Sequence, residues 1–338
     1  MKNLKPILVI AALFLLVTFI VPVLVVLPFS SEEENGGLDE KLSPETNELR
    51  TLEDSIEISV FRTQENTIET LPLEKYVIGV VSGEMPAEFE SEALKAQALT
   101  ARTYIVKQLS KSKADLPEGA DVKDTTQHQV YKNNDELKQL WGNDYQWMID
   151  KITKAVIDTK GQIITYNDTP IDATFFSTSN GSTENSETYW KYELPYLKSV
   201  ESPWDKDSPK YESQKIITVS EFEEKLGIQL PSDGSVGVIT SRTPGNQVGS
   251  VKISDSEFTG PEVRQKLDLK SADFSWVRKE EHIVINTKGY GHGIGMSQYG
   301  ANGMAKEGKT YKEIVHHYYQ GVNIALAEDL LTASTSEN

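Results

Sequence analysis

Glu84 is the first side chain whose setting suggests chemistry. With Leu73 as reference and about 100° per residue, Tyr76, Val77, Val80 and Val81 form one apolar arc, and Glu84 falls inside it. Met85-Pro86 follows, and a residue before proline is pushed out of the helical region, so the helix ends there. A carboxyl group at the end of a buried face is desolvated. That raises its pKa and suits it to general-acid work near neutral pH. A snorkelling or salt-bridged glutamate at a helix end fits the same pattern, so this feature alone leaves both readings open.

The next helix carries a second charge on an apolar face. Leu94, Ala98, Leu99, Ala101, Ile105, Val106 and Leu109 share that face with Arg102 in its middle. A buried guanidinium needs a partner. It either orients a substrate in a polar pocket shared with Glu84 or forms a structural arginine–carboxylate pair. The segment GYGHGIGMSQYGANG is the third unusual stretch. Its glycines suit a loop approached closely by something else, with His292, Ser297 and Gln298 able to bond a polar ligand; a tight turn packed on the core is the alternative. Two patterns mislead. Gly303 to Thr310 (GMAKEGKT) fits the phosphate-loop letters, but glycine and polar residues precede it rather than a buried strand. His316 and His317 are adjacent, so on a helix they diverge by about 100° and do not chelate one ion. No metal is expected.

These residues need a mixed scaffold. Alternation at Ile56 to Val60 predicts a strand, and Thr70 and Pro72 are start signals for the Glu84 helix. The second helix runs from about Glu92 to Leu109. QIITY and IDATFFS, around Asn-Asp-Thr-Pro, predict two strands. A helix over Ser220 to Leu226, strands at Ser235–Thr240, Gly249–Ile253 and His282–Asn286, and a helix over Tyr311–Tyr319 follow. Strands and helices mix without regular βαβ alternation, so the class is α+β, with mainly antiparallel strands.

Residues 7–28 are almost wholly apolar and follow Lys2 and Lys5. Their length predicts a single transmembrane anchor behind a short cytoplasmic tail, residues 1–6, rather than a cleaved signal peptide. Residues 29–54 are acidic and read as a flexible stalk. The catalytic domain is expected at 55–326, with 211–281 either a subdomain or part of one continuous sheet, and a frayed tail at 327–338. The domain then lies outside the cytoplasm. The net charge of −17 leaves no surplus of Lys and Arg to neutralise phosphates, which excludes nucleic acid. With no cysteine, the chain has neither disulfides nor thiolate chemistry.

The run VVSGEMPAEFESEALKAQALTARTYIV, the segments TTQHQVY and FFSTSNGSTENSETYW, and the closing GYGHGIGMSQYGANGMA resemble the stage II sporulation protein D family over about Ser55 to Asn323. That resemblance implies a membrane-anchored lytic transglycosylase of a spore-forming bacterium. It would cut the MurNAc–GlcNAc bond of peptide-stripped glycan strands, leaving 1,6-anhydro ends, during septal remodelling and engulfment. Its partners would be peptidoglycan glycan strands, a cell-wall amidase and membrane-anchored sporulation proteins, with no cofactor. Glu84 stands at the family's catalytic acid and Arg102 at its helix arginine. Tyr196, Lys198 and Asp205, in LPYLKSVESPWD, match positions that the resemblance marks as important. Gln127, Ser177, Asn180, His292, Ser297 and Gln298, in the matching segments, complete the expected substrate-binding set. Some relatives hold zinc through cysteines; this chain has His128 in that region but no cysteine, so the zinc site is not carried over.

One carboxyl group would serve as acid towards the glycosidic oxygen and then as base towards the muramic 6-hydroxyl. A hydrolase needs a second carboxylate, for which Glu88, Glu90 and Asp205 are the candidates. The family also touches amidase enhancers, so a glycan-binding activator of an amidase is a rival reading, and a wall-enzyme scaffold without an active site is a third.

Overall fold

The computed structural model describes residues 56–190 and 192–328. The expected anchor, the stalk and nearly all of the C-terminal tail lie outside the described residues. Among the described residues no helix is long and apolar enough to cross a membrane.

The chain opens with an antiparallel hairpin, β1 (Glu57–Arg62) and β2 (Thr67–Pro72), so Thr70 and Pro72 end a strand before they introduce a helix. Pro72 is the N-cap of α1 (Leu73–Glu84), which stops at Met85 in extended conformation, as a residue before proline must. Helix α2 (Ser91–Leu109) is the hub. Packed by α1 and by the later segments Tyr145–Ile157, Gln162–Tyr166, Gln298–Lys306 and Tyr311–Tyr318, it is buried almost all round. Ala93, Ala96, Ala98 and Ala101 keep its girth small enough for neighbours on several sides. Short β3 (Val122–Lys123) lies parallel to β1. Two helices not foreseen from the sequence follow, α3 (Asn134–Trp141) and α4 (Tyr145–Ile157). The first begins in a full capping box between Asn133 and Glu136. β4 (Gln162–Tyr166) turns through Asn167 and Asp168, both at positive φ, into β5 (Thr169–Pro170). IDATFFS is not one strand; only β6 (Phe175–Phe176) pairs, in parallel with a later segment. A single turn, α5 (Glu187–Trp190), and a 3-10 turn at Pro203–Asp207 complete this part.

Residues 212–288 bury an apolar core of their own, built on Ile217, Phe222, Val251, Val263, Phe274, Ile283 and Ile285. β7 (Glu212–Thr218) leads to α6 (Val219–Leu226), capped by the Thr218 hydroxyl and closed by left-handed Gly227. β8 (Val238–Arg242), β9 (Val248–Ile253) and β10 (Ser256–Thr259) make one antiparallel sheet, followed by α7 (Gly260–Lys266). β11 (Asp273–Lys279) and β12 (His282–Lys288) join β7 in the other, in the order β11-β12-β7. The chain then returns to the first core. β13 (Met296–Ser297) pairs with β6, and the glycine-rich stretch becomes helical as α8 (Gln298–Lys306). α9 (Tyr311–Tyr318) and β14 (Asn323–Leu326), antiparallel to β4, close the fold. The class is α+β. Gly303 lies inside α8, so the GMAKEGKT stretch does not form a phosphate loop.

Candidate active site

Helix α1 delivers Glu84 at its last residue, half-buried. Its position depends on two glycines one turn apart. A Cβ on Gly79 would sit 2.3 Å from the Tyr131 ring and 2.7 Å from the Lys132 carbonyl, and one on Gly83 would sit 2.8 Å from the Val130 carbonyl. With no side chain there, the 129–132 segment lies directly on the helix. Lys132 N–H donates to the Gly79 carbonyl, the Tyr76 hydroxyl donates to Gln129, and Tyr76 and Tyr131 stack at 5.6 Å. The outcome is one bond: Val130 N–H donates to Glu84 Oε1 at 2.7 Å.

Burial pushes the Glu84 carboxyl above its ordinary value, and the Val130 N–H bond only partly opposes that. The helix C-terminus adds partial negative charge on the same side. Among the described residues no cation forms an ion pair with Glu84. Helix α8 then pins both ends of the loop after it. Gln298 Nε2 donates to the Glu84 carbonyl at 3.0 Å, and Glu90 N–H donates to Asn302 at 2.8 Å. Tyr299, next on α8, meets Phe89 edge-on at 4.9 Å, and its N–H donates to the Ser177 carbonyl. Glu84, Gln298 and Ser177 are thus brought into one neighbourhood. Gln127 lies exposed on the segment leading to Val130.

Arg102 is elsewhere, and the shared pocket with Glu84 is not formed. It is fully buried and grips Glu74 through Nε at 2.9 Å and Nη2 at 2.6 Å. Its remaining donors reach the Gln162 and Val156 carbonyls. With all three of its nitrogens bonded in the core and the side chain fully buried, it does not reach a substrate, which corrects its expected binding role. Asp205 is equally sealed. Its Oδ1 accepts from Ser179 N–H at 2.9 Å and Ser297 Oγ at 2.5 Å, its Oδ2 from Ser179 Oγ at 2.7 Å and Ser202 Oγ at 2.6 Å. Burial raises its pKa despite those donors. This carboxyl ties three segments together, and Ser297, which also caps α8, belongs to the knot. Fully buried, Asp205 reaches neither a sugar nor a water outside.

The other expected residues also have local partners. His292 Nδ1 accepts from Ile294 N–H at 3.0 Å, so its proton is on Nε2, and the ring packs near Phe176 and Tyr189. Burial, with Arg264 nearby, lowers its pKa to about 4, against a backbone bond at Phe175. It is a neutral turn histidine. Asn180 bridges to the second core through Gly245 and Asp273, each at 3.0 Å. Tyr196 exchanges hydrogen bonds with Asp172. Lys198 pairs with Glu187 and Glu193 at the surface.

Residues 62–166 match the family described as stage II sporulation protein (SpoIID). The chain is 51% identical over 320 residues to stage II sporulation protein D of Bacillus subtilis (strain 168), covering 92% of this chain and 93% of that one. It is 49% identical over 337 residues to the protein of that name from Bacillus amyloliquefaciens, covering 97% and 98%. The chain belongs to the stage II sporulation protein D family. A more distant likeness, 29% identity over 303 residues, is to an amidase enhancer of Bacillus subtilis, covering 73% of this chain and 40% of that protein.

The SpoIID match contains Glu84, Arg102 and the Val130 segment, so it takes in both the half-buried acid and the core ion pair. Sequence reasoning missed Val130, because a backbone donor has no residue signature. A signal was nevertheless present. Gly79 and Gly83, four apart on one helical face, mark where another backbone can touch the helix.

Proposed function

We propose that this sporulation-family protein is a lytic transglycosylase of the cell wall, held to the membrane by residues 7–28 with residues 56–328 outside the cytoplasm. The observation that carries the reading is Glu84, a desolvated carboxyl without a cation partner among the described residues, held by one backbone N–H. Protonated, it donates to the glycosidic oxygen between MurNAc and GlcNAc as positive charge develops at the anomeric carbon. The C–O bond breaks, and the ionised carboxylate takes the proton of the muramic 6-hydroxyl, whose oxygen closes on the anomeric carbon as the 1,6-anhydro bond. The proton returns to Glu84, so one group completes the cycle without adding water. The Val130 N–H, anchored by the segment on Gly79 and Gly83, keeps the carboxylate in place between the two steps.

Sealing of Asp205 supports this route over hydrolysis, because it removes one of three candidates for a second carboxylate; Glu88 and Glu90 are exposed on the loop after α1. The likeness to an amidase enhancer favours a second reading, glycan binding that stimulates a partner amidase. The deciding experiment is mass spectrometry of products from the full chain in detergent on peptide-stripped glycan strands. Products one water lighter than hydrolytic ends, absent with Glu84→Gln, are expected. Full-mass reducing ends would indicate a hydrolase. No cleavage, with amidase stimulation intact, would favour the activator.

A further inference from the structure

Beyond Glu84, the surface around Tyr290 has a composition that the catalytic reading leaves unused. Tyr290 is 37% exposed. Lys210 Nζ and Lys270 Nζ each lie 5.3 Å from its ring centroid, and Lys210 Nζ is also 6.0 Å from the Tyr299 ring. The two ammonium groups are therefore no farther apart than twice that first distance. Both lysines are exposed, and among the described residues neither has a carboxylate within ion-pairing range. Their charges are not neutralised locally, unlike those of Lys107, Lys113, Lys198 and Lys215, which have acidic partners.

The backbone holds this group in place. Tyr290 exchanges both backbone bonds with Thr178, Gly291 N–H donates to the Lys270 carbonyl, and Lys210 N–H donates to Ser208 Oγ. The cluster is also continuous with the candidate active site. Tyr299 touches Phe89 and follows Gln298, whose amide holds the Glu84 carbonyl.

We propose that Tyr290, Tyr299, Lys210 and Lys270 form a subsite for a carboxylate-bearing sugar of the glycan strand. The proposal rests on the glycan-cleaving reading and names residues that set its specificity. The apolar C–H face of a pyranose ring packs on the exposed tyrosine surface. The two ammonium groups, which repel one another when nothing lies between them, share the sugar's carboxylate through charge-assisted hydrogen bonds. On a muramyl unit that carboxylate is the lactyl group, free only where no peptide is attached. A strand bearing such groups approaches a negatively charged protein, so a local cationic pair is what lets it settle.

The test uses the full chain in detergent carrying Glu84→Gln to stop turnover, and two ligands: peptide-stripped strands with free carboxylates, and the same strands with those carboxylates converted to neutral amides. The free-acid strands are expected to bind about tenfold more tightly, by a margin that shrinks with added salt. Lys210→Gln with Lys270→Gln should erase the margin, and Lys210→Arg with Lys270→Arg should keep it. Equal binding of both ligands to the parent, or an undiminished margin in the glutamine variant, overturns the subsite and leaves the glycan reading standing. No binding of either strand overturns the glycan reading, and the subsite with it.

Discussion

Glu74 and Glu84 stand at opposite ends of the same helix, and their surroundings could hardly differ more. Glu74, in the first turn, receives three contacts from the Arg102 guanidinium and a further bond from Gly161 N–H at 3.0 Å. The positive end of the helix dipole lies on its side. Glu84, at the far end, faces the negative end of the dipole with a single backbone N–H for support. Both are acids on the inner side of α1. What separates the structural acid from the proposed chemical one is how much of its charge is already neutralised, rather than how deeply it lies. The same contrast sorts Arg102, whose place on a buried face suits either role until its partners are counted.

Breaking the Glu74 end should have the largest effect. Arg102→Met leaves a buried carboxylate without its cation and should cost about 3–5 kcal/mol of stability, read as a lower urea midpoint at unchanged slope. Adding Glu74→Leu removes the second charge and should restore much of that loss. An Arg102→Met chain of parental stability that has lost only glycan binding would return the arginine to the site. Next in size is the contact that supports Glu84. Gly83→Ala places a Cβ against the Val130 carbonyl, so the 129–132 segment must retreat, at about 1–3 kcal/mol for overpacking. The Val130 amide should then lose protection in hydrogen exchange, and glycan cleavage should fall with it. Unaltered Val130 protection would mean that the helix and segment part without disturbing the carboxyl group.

The two ends were unequally legible in the sequence. The apolar arc from Leu73 to Val81 and the stop at Met85-Pro86 are helical periodicity and proline sterics, both local, and they place Glu84 at a helix end. Arg102 was legible as a buried charge, but its partner was not, because Glu74 lies 28 residues away and pairing across helices depends on packing. α3 and α4 were missed, although Asn133 and Glu136 spell out a capping box. The glycines of 289–303 suggested a loop, whereas Ser297 caps a helix that tolerates Gly300 and Gly303 because neighbours pack close to them. The Asp205 knot draws on Ser179, Ser202 and Ser297. Serines scattered over that much sequence carry no pattern until the chain folds.

The smallest expected effect sharpens the comparison most, because at the Glu84 end the substitution that abolishes activity should raise stability. The Glu84 carboxyl is raised above its ordinary value by burial, so the folded state disfavours its ionisation. Below the unfolded value of about 4.3, both states are protonated and the group neither adds nor removes stability relative to a neutral amide. As pH climbs through the raised folded value, the unfolded chain has already ionised and the native chain resists, so stability is lost. Glu84→Gln escapes that loss and still accepts the Val130 N–H. Its thermal midpoint should therefore exceed the parent's at pH 7 by a margin that closes as pH falls towards 4. Cleavage by the parent should decline with rising pH over the same interval, since only the protonated acid donates. Removing the Glu74 charge alone, as Glu74→Gln, should have the opposite outcome at pH 7, a lower midpoint, because there the carboxylate is what satisfies Arg102. Equal behaviour of the two glutamine variants would mean that the ends of α1 are electrostatically alike, and the case for Glu84 as the acid would lose its physical basis.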